Sequence, residues 1–299
     1  MTRYLLSAFL LCACPVIQAQ TNSTGSPALV VTTEPKAIVW IDEIRRGTTD
    51  GSGKLSLTKV TSGRHTLRVR ATGFKESVAP LLPGRRTVTV KLIPTNDKAE
   101  LLFQQAETAR DEARDDAAKE KAADLYREAI KARPAYPAAQ VGLARLLMDL
   151  NQFDKAHSAI DAARRARPVY PEASAVEGRI YREEAFTDEA IRSFRRAIRE
   201  GTGFQPEAHV GLARILEEKG QFNEAAVELK KAIDQLSDSE PVIYQMLGAV
   251  YEKIEKPKEA VEAYEKYLEL APNGSYATAI KSILTQLKRE AAGETIIPD

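Results

Sequence analysis

The chain has 299 residues, with 43 Lys and Arg against 42 Asp and Glu and a formal net charge of +1. A balance so close to neutral gives the whole molecule no polyanion-binding signature and argues against a nucleic-acid partner. The charge is nevertheless uneven. Residues 20–96 carry twelve basic and five acidic residues, a net +7, whereas residues 97–299 carry thirty and thirty-seven, a net −7. This division predicts two parts with different surfaces.

The first nineteen residues have the features of an export signal. Arg3 supplies a positive charge, and "YLLSAFLLCA" is an apolar run too short to span a bilayer as a helix. We expect cleavage after Ala19, which would make Gln20 the first residue of an exported, periplasmic or extracellular protein. The alternative is that "LCAC" is a lipobox, in which Cys14 is lipidated and anchors the protein to a membrane. Both cysteines lie in this segment, so we predict no disulfide and no thiolate chemistry elsewhere.

Residues 28–94 have the pattern of a small β domain. Apolar and polar residues alternate, and turn residues recur every eight to twelve positions. The predicted strands are "ALVVT", "AIVWI", "KLSLT", "HTLRVRA" and "RTVTVKLI". Alternation in "HTLRVRA" places His65 and Leu67 on one face and Arg68 and Arg70 on the other. We expect the arginines to face solvent and His65 to be a structural residue, not a base or a metal ligand.

Two segments of this region resemble the PEGA domain family of bacterial envelope and surface proteins. The segments are "EPKAIVWIDE" and "SGRHTLRVRATGF", and the matching residues are Pro35, Ala37, Val39, Ile41, Asp42, Gly47, Gly63, His65, Gly73 and Phe74. The resemblance implies a β-sandwich adaptor without an assigned active site. Trp40, the only tryptophan, shares the second sheet face with Ile38. It is either part of a docking patch or covered by neighbouring strands or the linker.

After residue 94 the apolar pattern becomes helical and repeats itself. Five segments align on alanines spaced 34, 34, 35 and 35 residues apart: Ala122, Ala156, Ala190, Ala225 and Ala260. This period resembles the tetratricopeptide repeat family, in which each unit is a helix-turn-helix. The predicted units are 103–136, 137–170, 171–205, 206–240 and 241–274, after a linker at 95–102 and before a capping helix at 275–291 and a tail at 292–299. The predicted fold is therefore a small β-sandwich followed by an all-α solenoid of about five repeats.

The resemblance also suggests a binding surface. In tetratricopeptide repeats the residue after the small residue of the first helix usually faces the concave side, and Arg145, Arg179 and Arg214 occupy that position here. A ladder of guanidinium groups is suited to the carboxylates of an acidic peptide. The alternative is that each arginine pairs with the acidic residue four positions later in its own helix, which is Asp149, Glu183 or Glu218.

No spacing typical of a catalytic triad, a carboxylate pair or a metal site is present in the sequence. We therefore predict a non-enzymatic scaffold or adaptor of the cell envelope that binds a protein or peptide in the groove. No cofactor, metal or nucleic acid is expected, and the chain is not expected to span a membrane. The alternative is a cell-wall recognition module, in which the basic β domain contacts peptidoglycan or another anionic polymer and the repeats recruit an envelope enzyme.

Overall fold

The computed structural model describes residues 29–42, 44–57, 60, 64–236 and 240–292. The predicted export signal, its cleavage site, Cys14 and Gly63 lie outside these residues, as does residue 43. A small β region of two sheets is followed by helices packed in pairs, which confirms the predicted fold class.

The described part of the β region contains seven strands in two sheets. They are β1 (Leu29–Thr32), β2 (Ile38–Ile41), β3 (Ile44–Thr48), β4 (Lys54–Leu57), β5 (His65–Arg70), β6 (Ser77–Leu81) and β7 (Thr87–Thr89). The strand order is β4-β1-β7 in one sheet and β3-β2-β5-β6 in the other. All pairs are antiparallel except β1 with β7. The core of the β region includes Val31, Val39 and Val69, which are fully buried.

The arginine face of β5 is not exposed to solvent, so the sequence prediction was wrong on this point. Arg70 is only 7% exposed. Its guanidinium carbon lies 5.2 Å from the ring centroid of Trp40 and 4.7 Å from that of Phe103, a residue of the first helix. Arg68 stacks on Trp40 as well, at 4.2 Å. Trp40 is therefore covered by side chains of the neighbouring strand β5, and a helix covers Arg70 in turn.

The helical region consists of paired helices and a final single one. They are α1 (Lys98–Glu112), α2 (Asp116–Ala132), α3 (Pro137–Asp149), α4 (Phe153–Ala166), α5 (Pro171–Glu183), α6 (Thr187–Glu200), α7 (Pro206–Glu218), α8 (Phe222–Leu236), α9 (Val242–Lys253), α10 (Pro257–Leu270) and α11 (Ala277–Ala291). α1 begins inside the segment 95–102 that we predicted as a linker. The Asp97 side chain caps it by accepting hydrogen bonds from the backbone N–H groups of Ala99 and Glu100.

Small residues fit against aromatic rings where the two helices of a repeat meet. A Cβ atom on Gly178 would lie 2.7 Å from the Phe194 ring, and one on Gly248 would lie 2.5 Å from the Tyr264 ring. Such distances are too short for a methyl group, so the ring of the second helix requires glycine opposite it. Ala163 and Ala197, in the second helices of their repeats, are fully buried as well.

The first helices of successive repeats also contact one another. α1 packs on α3, α3 on α5, and α5 on α7. In a curved stack the helices on the inner side are closer together than those on the outer side. We call the surface formed by α1, α3, α5 and α7 the inner face.

Candidate functional site

The inner face carries the three arginines that the repeat register predicted. Arg145 lies on α3, Arg179 on α5 and Arg214 on α7, one in each of three successive repeats. Arg145 and Arg179 are partly buried, whereas Arg214 is exposed. The three arginines differ in their contacts as well as in their exposure.

Arg145 binds a glutamate two repeats further along the chain. Its Nη1 donates to Oε1 of Glu207 at 2.9 Å, and its Nη2 donates to Oε2 of Glu207 at 2.8 Å. Two parallel bonds of this kind are the strongest geometry for a guanidinium and a carboxylate. The same Nη2 lies 3.4 Å from Oε1 of Glu172, and Arg179 donates to Glu207 at 3.2 Å. Arg145, Glu172, Arg179 and Glu207 thus form one charge cluster, which joins α3, α5 and α7.

The ion pairs of the charge cluster shift the pKa values of Glu207 and Arg145. Burial alone would raise the pKa of Glu207, but Arg145 and then Arg179 outweigh this effect and hold the pKa at about 2. Burial would likewise lower the pKa of Arg145, but Glu207 and Glu172 raise it above its usual value. Both groups are therefore charged over the whole physiological pH range.

The positions of the two glutamates in their repeats account for the pairs Arg145–Glu172 and Arg179–Glu207, although Glu207 also reaches back to Arg145. Glu172 and Glu207 are each the residue after the proline that opens α5 or α7. Each therefore lies opposite the arginine of the preceding repeat. The equivalent residue of the fifth repeat is Val242, so the described start of α9 offers Arg214 no carboxylate at this position. Glu172 and Glu207 were not among the predicted site residues, although a Pro-Glu pair at two helix starts is visible in the sequence.

The acidic residues predicted as partners within each helix have other surroundings. Asp149 is exposed, and its backbone oxygen accepts a hydrogen bond from Lys119 at 3.5 Å. Glu183 pairs with Arg182 at 2.5 Å rather than with Arg179. Glu218 is exposed near Glu217, and it is Glu217 whose pKa responds to Arg214: burial raises that pKa, and Arg214 partly offsets the increase.

The three histidines each contact a carboxylate. His65 Nδ1 lies 2.5 Å from Asp42, His157 Nε2 lies 2.7 Å from Glu184, and His209 Nδ1 lies 2.6 Å from Glu228. Hydrogen-bonded pairs of this type fix ring orientation, and they become catalytic only beside a nucleophile or a substrate. Within the described ranges no group of three His, Cys, Asp or Glu side chains could hold a metal ion.

Of the helices in the described part of the chain, none combines the length and the apolar character needed to cross a bilayer.

Comparison with known proteins identifies the helical region. Family models for the tetratricopeptide repeat match residues 113–180, 175–241 and 241–273, which together extend over more than half of the chain. No PEGA family model matches the N-terminal β region, so that resemblance remains a prediction. A search of curated protein sequences finds no match to this chain.

Solved structures share the fold at low sequence identity. The tetratricopeptide repeat protein TTC0263 of Thermus thermophilus is 19% identical, with a TM-score of 0.52, over 64% of this chain and 98% of that one. PilF of Pseudomonas aeruginosa is 13% identical, with a TM-score of 0.55, over 67% of this chain and 89% of that one. PilW, described as a widely conserved type IV pilus biogenesis factor, is 18% identical, with a TM-score of 0.54, over 67% of this chain and 89% of that one. The repeat spacing, the paired helices and the family matches lead to one conclusion: the chain belongs to the tetratricopeptide repeat family.

Proposed function

We propose that this protein is a non-enzymatic, exported scaffold or adaptor that binds a protein or peptide segment on the inner face of its repeats. The observation that carries the proposal is the continuity of this surface. Three successive first helices, α3, α5 and α7, are in contact and are joined by the charge cluster, which holds them in a fixed arrangement. A preorganised inner surface of this kind suits an extended ligand, because little ordering is needed when the ligand binds.

The charge cluster limits what such a ligand can contact. Arg145 and Arg179 already bind Glu207, so a ligand carboxylate would have to displace an internal ion pair. Arg214 is the exposed arginine of the three and makes no ion pair with the described residues. We therefore place the contact with a partner at the level of α7 and beyond, rather than along the whole ladder.

The cellular setting of the proposal depends on the export signal in residues 1–19. If that signal is used, the binding partner is a component of the cell envelope, and the protein functions in envelope assembly or organisation. Lipidation at Cys14 would place the same surface next to a membrane.

Site-specific photo-crosslinking tests the proposal. A photoreactive residue at Arg214, on the inner face, is compared with one at Val227, which is 50% exposed on the second helix α8 of the same repeat. Both full-length variants are expressed in the native host and irradiated. We expect one discrete crosslinked partner from position 214 and none from position 227. Crosslinking of equal strength at both positions, or none at either, would contradict inner-face binding.

A second candidate function is recognition of an anionic cell-wall polymer by the β region. Residues 77–96 contain three basic and no acidic residues. The basic residues, Arg85, Arg86 and Lys91, are all exposed. Co-sedimentation of the full chain with purified sacculi would support this function if Arg85→Glu with Arg86→Glu abolishes it and a charge reversal at the exposed Lys258 does not. Failure of the wild-type chain to sediment would exclude it.

A further inference from the structure

The β2–β3 hairpin contacts both ends of the helical stack. Ile44, the first residue of β3, is only 8% exposed although it lies at the end of a hairpin. Its side chain belongs to the buried apolar cluster of α7–α11, which includes Ile243 and Leu247. The next residue, Arg45, reaches the other end of the stack, where its Nη1 lies 3.3 Å from Oδ2 of Asp111 in α1.

Adjacent residues can make these two contacts only on the inner side of the stack. Consecutive Cα atoms are about 3.8 Å apart, so the first repeat and the last two must approach each other within the reach of two side chains. In a curved stack, non-adjacent repeats face one another only on the concave side. The pair of Arg145 and Glu207, which joins the second repeat to the fourth, shows this curvature directly.

The rest of the β region is fastened to α1, which holds the hairpin in place. The Gln104 side chain accepts a hydrogen bond from Gly73 N at 2.9 Å and donates one to the Phe74 carbonyl at 2.8 Å. Arg70 binds Glu107 at 3.3 Å. Gln104 is itself 4% exposed, so these bonds lie in a closed contact between the two regions.

The charges of the β region and the repeats are opposite, which favours the contact between them. The β region carries the excess of positive charge and the repeats the excess of negative charge. Two arginines of the β region, Arg45 and Arg70, bind acidic residues of α1. The uneven charge of the two halves is thus explained in part by their contact with each other.

We propose that the β2–β3 hairpin is an intramolecular ligand of the inner side of the repeats. This inference rests on the function proposed above and adds the type of partner that the repeats bind. A segment from another protein that binds in place of the hairpin, between α1 and α7–α11, therefore shares the chemistry of Ile44 and Arg45: an aliphatic anchor for the C-terminal cluster followed by a basic residue for Asp111 of α1. Binding of such a segment releases the β region from the C-terminal repeats, so the hairpin restricts access to the groove.

The first test asks whether the hairpin covers the repeats in the full-length protein. Ile44→Asp places a charge in the apolar cluster, and Val78→Asp is the matched control because Val78 is 61% exposed in the same sheet. We expect Ile44→Asp to speed amide hydrogen exchange in α7 and α9 at least tenfold, with α3 and α4 unchanged. Val78→Asp is expected to change neither. Unchanged fluorescence of the single Trp40 shows that the β region stays folded, and equal exchange in both variants would overturn the proposal.

The second test uses the hairpin as a separate ligand. The probe is a fluorescent peptide of residues 38–48, "IVWIDEIRRGT". A tethered segment competes at an effective concentration in the millimolar range. The peptide is therefore expected to bind the Ile44→Asp protein at least tenfold more tightly than the wild-type protein, as measured by fluorescence anisotropy.

Two control peptides separate the aliphatic from the basic contribution. One carries Ile44→Asp and is not expected to bind. The other carries Arg45→Glu and is expected to bind more weakly than the unchanged peptide, because its ion pair with Asp111 is partly exposed. Equal binding of all three peptides, or no binding to the opened protein, would overturn the inferred partner type. The photo-crosslinking at position 214 does not use this peptide, so failure here leaves the inner-face proposal standing, and failure there does not affect the exchange result.

Discussion

Arg145 and Glu207 are joined by two parallel hydrogen bonds although they are 62 residues apart and belong to the second and fourth repeats. Repeat proteins are held together chiefly by contacts between neighbouring units. This pair joins the second repeat directly to the fourth, so the curvature of the stack depends on the contact between these two side chains. The pair therefore acts on the shape of the inner face as well as on stability.

Removal of the Arg145 side chain is expected to destabilise the protein. The two side chains are 20% and 29% exposed, so solvent screens the pair in part. Arg145→Ala should cost roughly 1–3 kcal/mol, because Glu207 keeps only the single contact with Arg179. Arg214→Ala is the control and should stay within about 0.5 kcal/mol, since Arg214 is exposed. Urea unfolding followed by circular dichroism measures both, and equal losses would contradict the assigned role of the cluster.

The same pair predicts a loss of stability in acid. The pKa of Glu207 is about 2 in the folded protein and 4.5 in the absence of its partners. A carboxylate whose pKa is depressed by folding stabilises the folded state above its unfolded pKa. That contribution is fully present above pH 4.5 and is lost as the pH falls towards 2. A shift of this size corresponds to about 3 kcal/mol before solvent screening is considered.

Glu207→Gln isolates this contribution. The variant should be less stable than the wild type at pH 6, and the difference should shrink between pH 4.5 and pH 2 as Glu207 becomes protonated. Exposed Glu218→Gln serves as the control for unspecific charge effects. Chemical unfolding at a series of pH values provides the measurement. A difference between wild type and Glu207→Gln that stays constant with pH would show that the ion pair does not carry the effect.

The repeats were predictable because their spacing is a property of the sequence alone. Alanines at intervals of 34 and 35 residues, with proline at the start of several helices, leave few alternatives to paired helices. Two strands were not predicted, because their sequences lack a regular pattern of this kind. β3 and β6 are the edges of their sheet, and "IRRGT" and "SVAPL" have little of the alternation that marks a strand buried between neighbours.

The contacts between distant segments could not be predicted in the same way. Alternation in β5 correctly placed Arg70 opposite Leu67, but it could not show that Phe103 of α1 covers that face. Likewise, the position of Arg145 in its repeat was predictable, whereas its partner depended on the curvature of the stack. Periodicity determines which face a residue occupies; tertiary packing determines what lies against that face.

Overpacking tests the helix register of the repeats. Ala197 is fully buried in α6, so Ala197→Phe should destabilise the protein by roughly 1–3 kcal/mol or more. Arg192→Ala in the same helix is the control, because that side chain is 69% exposed and should contribute little. Melting temperatures from calorimetry compare the two. Equal and small shifts would mean that Ala197 does not lie at a close helix contact.

The first residue of the mature chain remains a prediction from the sequence. It determines whether the exported protein is free or attached to a membrane through a lipid. We expect an exported protein that begins at Gln20, or one that begins at a lipidated Cys14. Intact-mass measurement of the protein purified from its native host distinguishes the two, because a diacyl or triacyl modification adds a large and characteristic mass. Replacement of Cys14 by Ser should leave the first form unchanged and abolish the second. Recovery of a mature protein that retains residues 1–13 would contradict export and, with it, the proposed function in the cell envelope.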